Sequence, residues 1–141
     1  AAVGLIWAGR NAHEFLAISR PVAASVLVVE GWLPDYAVAF AIEEFERGDY
    51  GLLITSGGPI ERGAFLSEYG SHAALTAATL VRMGMDPARV VAAPADAALR
   101  NRTWASTVAV RDLLADKGMR AAAINVVSLG AHARRSLAVY R

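Results

Sequence analysis

Four short aliphatic runs, each followed by a turn and a helical pattern, constrain this chain more than any other feature. Ser25 to Glu30 (SVLVVE) is a continuous aliphatic run of strand length, and Tyr50 to Thr55 (YGLLIT), Arg89 to Ala92 and Ala122 to Ser128 read as three further strands. A strand of that kind hides both faces, as strands do in a parallel sheet with helices on either side. Between the runs the period changes. From Tyr36 to Arg47, Val38, Ile42 and Phe45 share one face while Glu43, Glu44, Glu46 and Arg47 cover the other; Pro34 and Asp35 start this helix and Gly48 stops it. Further helices are expected over about Ser71 to Met83, over Arg102 to Lys117, and from Gly130 onward. Gly84 and Gly118 close the first two. Strands alternating with helices predict an α/β fold, a Rossmann-like three-layer sandwich with a mainly parallel sheet.

At 141 residues the chain supports one such domain, over residues 25–141, behind a lead-in of residues 1–24. The lead-in holds a helical stretch from Asn11 to Ser19, closed by Arg20-Pro21, and begins with the apolar run Ala1 to Ala8. A membrane span needs about 20 apolar residues. The run is therefore read either as the cropped end of a membrane anchor or as the first turns of a docking helix. Leu137 to Arg141 is mid-helix in character, with no Gly or Pro stop, so the fold is expected to continue past it.

Charge excludes some functions. The chain has 14 Lys+Arg against 13 Asp+Glu, a net +1, which disfavours a basic nucleic-acid binder. Lys117 is the single lysine, so the positive charge is almost all guanidinium, the group suited to bidentate recognition of carboxylate or phosphate. With no cysteine there is no disulfide framework, thiolate metal site or Cys nucleophile.

In a doubly wound sheet, ligands sit beyond the carboxyl ends of the strands. Those ends are Glu30-Gly31-Trp32, Thr55-Ser56-Gly57-Gly58, Pro94 and Ser128-Leu129-Gly130. Backbone at Ser56, Gly57, Gly58 and Gly130 can approach an anion closely, although neither a Walker loop nor G-x-G-x-x-G is present. Arg102, Arg134 and Arg135 stand at helix starts, where the macrodipole favours negative charge. Two helix starts carrying cations and unpaired N–H groups suit an anionic small molecule. Asn101 or Thr103 can cap the first of these helices, with Thr103 also facing the ligand.

Glu30 closes an otherwise apolar strand, where a carboxylate is costly unless paired or hydrated. It is read as the partner of an Arg, or as a base or hydroxyl acceptor in the crevice. Trp32 beside it can pack on the sheet or stack on a ligand ring. Glu30 and His132 are the catalytic candidates, since histidine titrates near neutral pH. His72, His132 and Glu30 lack metal-ligand spacing, so no metal site is expected. Ser128 and His132 are four apart across a turn and can touch, but no acid is placed to complete a triad, and no G-x-S-x-G elbow exists.

In order, Val28-Val29-Glu30-Gly31-Trp32-Leu33-Pro34-Asp35, Ile54-Thr55-Ser56-Gly57-Gly58, Arg102-Thr103-Trp104-Ala105-Ser106 and Leu129-Gly130-Ala131-His132-Ala133-Arg134-Arg135-Ser136 resemble the bacterial YdcF/SanA/ElyC-like domain family. The resemblance covers about Ser25 to Arg141. It implies a Rossmann-like fold, an N-terminal inner-membrane anchor, and a role in cell-envelope polysaccharide biogenesis and barrier function. It also implies S-adenosylmethionine as a candidate cofactor, through one member. The chain departs from the family pattern at His72-Ala73-Ala74, where a Glu is usual, and at Glu30-Gly31-Trp32, where a Gly-rich turn is usual. Three readings result: an envelope enzyme acting on a phosphorylated or glycosyl-phosphate substrate, a non-catalytic S-adenosylmethionine or nucleotide module, and a structural envelope protein.

Overall fold

The computed structural model describes residues 19–141. The run Ala1 to Ala8 and the expected lead-in helix, except for its last residue Ser19, lie outside the described residues. Four strands and four α-helices alternate: β1 (Val26–Glu30), α1 (Asp35–Arg47), β2 (Leu52–Gly57), α2 (His72–Arg82), β3 (Val90–Pro94), α3 (Arg102–Asp116), β4 (Ile124–Val127) and α4 (His132–Val139). The sheet is wholly parallel, in the order β3-β2-β1-β4. The α/β reading therefore holds. Among the described residues no helix is long and apolar enough to cross a membrane.

Period-two alternation divides each strand between two cores. Leu27, Val29, Leu53 and Val127 face α1 and α2, packing with Val38, Ala41, Phe45 and Leu80. Val26, Val28 and Ile54 face the other way, toward Val110 of α3 and the partly buried Leu113, Val126 and Tyr140. Every β1 residue is buried, which is why its sequence is aliphatic throughout. Chain direction places α1 and α4 on opposite faces although β1 and β4 are neighbours. Their connections diverge there, and this divergence makes the crevice of a doubly wound sheet.

Strand limits differ from the expected ones in one informative way. β2 starts at Leu52 and runs through Ser56 and Gly57, which pair with Ala93 and Pro94 of β3. Tyr50 instead turns its ring onto Phe45, at 5.9 Å between centroids, and donates its hydroxyl to the buried Glu44 at 2.9 Å. At the same amino-terminal end, the Asn125 amide accepts from Val22 N at 3.0 Å and donates to Val22 O at 2.7 Å. That clamp fastens the segment preceding β1 to β4, at the end of the sheet remote from the crevice.

Candidate functional site

The register places Glu30 opposite Ser56. Both side chains point to the α3/α4 side, as do Val28 and Ile54 two residues earlier. Ser128, two residues past Val126, reaches the same side. Its Oγ donates to Glu30 Oε2 at 2.5 Å. From α4, Ser136 Oγ donates to Glu30 Oε1 at 2.5 Å, and the Trp32 indole Nε1 donates to Oε2 at 3.0 Å. The two O–H···O contacts lie at the short end of the ordinary range. Glu30 is only 6% exposed, and its two carboxylate oxygens accept from two hydroxyls and an indole. These three donors form a cradle around the carboxylate. A buried carboxylate is tolerated when its lone pairs are filled in this way.

Trp32 carries the cradle outward. Its indole is half exposed, and its ring centroid lies 4.8 Å from that of His132, tilted by 53°. The imidazole is thus exposed at the head of α4 on an indole whose own orientation Glu30 fixes. Ser128 and His132, close enough in sequence to touch, find other partners: Ser128 donates to Glu30 and His132 packs on Trp32. His72, Glu30 and His132 do not gather as a metal-binding group among the described residues.

The helix starts are less open than expected. At the turn into α4, Gly130 takes a left-handed φ of 54°, which glycine adopts without steric cost. That turn is tight enough for His132 N to donate to Leu129 O at 3.2 Å and Ala133 N to Gly130 O at 3.1 Å. Two first-turn N–H groups of α4 are thereby occupied. Arg134 is half buried, and Arg135 is exposed and forms no ion pair with any described residue. At α3, Asn101 adopts φ 56° and makes no side-chain cap; its carbonyl accepts from Ala105 N. Thr103 lies inside the helix, where its carbonyl accepts from Thr107 Oγ1, so neither residue caps as expected. Arg102 is exposed.

Gly57 serves packing. A Cβ there would stand 2.9 Å from His72 Cβ and 3.0 Å from Ala73 N, so a glycine lets the start of α2 sit against β2. Gly58 accepts from His72 N at 2.9 Å. The Ser56 side chain, by contrast, lies on the α3/α4 side with the Glu30 cradle.

The sequence reading overlooked Ser136 and Tyr140. His132, Ser136 and Tyr140 follow at intervals of four, the spacing that aligns side chains along one helix face. Ser136 is 1% exposed. Burial pushes the Tyr140 phenol above its ordinary value; the Ser56 and Thr107 hydroxyls act against the rise and the Glu30 carboxylate with it. Yet Tyr140 Oη and Ser56 Oγ, both enclosed, each lack a partner in hydrogen-bonding geometry.

In comparisons with protein-family models, curated proteins and solved structures, the chain matches none.

Proposed function

We propose that this domain binds an anionic small molecule, phosphorylated or nucleotide-like, at the carboxyl end of the sheet where β1 and β4 diverge. The observation that carries the proposal is the chain of contacts from Ser128 and Ser136 through Glu30 to Trp32 and His132. It holds an exposed imidazole at a helix start, with the exposed Arg135 one turn along. A preset imidazole and a nearby guanidinium supply hydrogen-bond donors that match phosphate oxygens. In this reading Glu30 acts through Trp32 as a positioning residue, and His132 is the group able to move a proton to or from a bound ester. The resemblance to YdcF-like domains adds the envelope setting, the anchor and the link to polysaccharide metabolism.

Nothing in the geometry favours S-adenosylmethionine over this class. The acidic residue that accepts ribose hydroxyls in dinucleotide folds follows the glycine-rich turn by about 20 residues. Glu30 closes the first strand instead, and both its oxygens already accept protons from the chain.

Titration followed by amide chemical shifts tests the reading with inorganic phosphate, methyl phosphate, adenosine monophosphate and S-adenosylmethionine. Saturable shifts in Gly130 to Ser136 are expected with the phosphates, weakened about tenfold by His132→Ala or Arg135→Ala. No saturation by any phosphate at millimolar concentration sinks the proposal.

A further inference from the structure

Among the described residues, Ser56 Oγ and Tyr140 Oη are the buried side-chain atoms left without a hydrogen-bond partner. A buried hydroxyl without a partner is uncommon in native proteins and carries a desolvation penalty. Here two occur together, beside the Glu30 carboxylate and one helical turn from Ser136. Three further hydroxyls close in on the same place, from Ser128, Ser136 and Thr107, while the adjoining interior is Val28, Ile54 and Val110. Stability alone would favour apolar groups at positions 56 and 140. The polar pair also stands where β2 nears its carboxyl end and where α4 ends, about two turns along from the helix start assigned above to the anion.

We propose that Ser56 and Tyr140 form the inner half of the ligand site and bind a hydroxyl group of the ligand, so that the molecule recognised is a phosphate ester of a sugar or other polyol. This rests on the anion reading of the same site. The phosphate stays at the His132 end of α4, and a hydroxyl of the organic part both donates to and accepts from the two side-chain hydroxyls. Because both are enclosed, the ligand reaches them only as α4 lifts from the sheet. The buried inner residue of that helix, Ser136, is held by a hydrogen bond to Glu30, and Tyr140 at its end packs on the cluster around Val28 and Ile54.

The test compares methyl phosphate with glycerol 3-phosphate, ribose 5-phosphate and glucose 1-phosphate on the whole chain, alongside Ser56→Ala and Tyr140→Phe. At least one polyol ester is expected to bind the native chain about tenfold more tightly than methyl phosphate, the worth of one or two good hydrogen bonds. Each variant should erase that advantage and leave methyl phosphate binding unchanged. Without ligand, both variants should melt at the same temperature as the native chain or higher, because each removes an unpaired buried hydroxyl. A merely structural hydroxyl would lower the melting temperature when removed. Equal binding of all four esters, a preference that survives in both variants, or a lowered melting temperature in both overturns the inference while leaving the anion reading in place. If neither methyl phosphate nor any polyol ester binds, the anion reading falls as well.

Discussion

α1 and α4 each follow one of two neighbouring strands, and the sheet holds them in opposite ways. Under α1 lie Leu27, Val29 and Leu53, and its own inner face is Ala37, Val38, Ala41 and Phe45. α4 instead sets Ser136 against the Glu30 carboxylate, and the Tyr140 hydroxyl that follows is enclosed without a hydrogen-bonding partner. An aliphatic seat is non-directional and stabilises in proportion to the area buried. A polar seat depends on geometry and becomes costly once a partner is lost. The first suits a scaffold. The second suits an element whose position a ligand can bias, and the exposed groups His132 and Arg135 ride on it.

The contrast can be broken by substitution. Leu27→Ala, at a fully buried position, should lower global stability in urea unfolding by about 3 kcal/mol, within the range for a large-to-small change in a tight core. A loss under about 1 kcal/mol would mean the aliphatic seat is not well packed. Glu30→Ala should cost about 2 kcal/mol by stranding Ser136 in the interior. Its signature is local: amide exchange should quicken through α4 and stay near native in α1. Equal loss of protection in the two helices would show that the seats are not separable.

The smallest effect concerns pH. The folded chain holds the Tyr140 proton more tightly than the unfolded chain does, because burial raises the phenol above its ordinary 10.0. This contribution to stability is complete below about pH 10 and is lost as pH rises further. Tyr140→Phe should therefore flatten the alkaline side of the stability profile. Tyr50, raised chiefly by burial near α1, acts in the same sense, so some slope remains until Tyr50→Phe is added. An unchanged profile in Tyr140→Phe would place the phenol in solvent.

Much of the fold is legible in the chain because its determinants are local. The run from Val26 to Glu30 names a strand buried on both faces, and the three-and-four spacing of Val38, Ile42 and Phe45 names a helix with one inner side. Turn chemistry at Gly84, Gly118 and Gly130 marks positions whose φ is positive in the structure. Given a parallel sheet, the residues at its carboxyl end follow, and Glu30, Ser56 and His132 are among them.

The order of the strands and the company each side chain keeps are different matters. Nothing near Glu30 in sequence states that its carboxylate meets Ser136, 106 residues away, since serines are plentiful and a hydroxyl carries no address. Asn101 looks like a cap, yet its backbone turns left-handed and its side chain bonds to nothing in the helix. Gly57 looks like a ligand loop but is spent on the approach of α2. Periodicity and turn propensity act over a few residues, so the sequence alone determined the elements and the end of the sheet where the crevice lies. Side-chain hydrogen bonding is decided by which surfaces meet, so only the tertiary structure could turn an anomalous strand-end carboxylate into the support of Trp32 and His132.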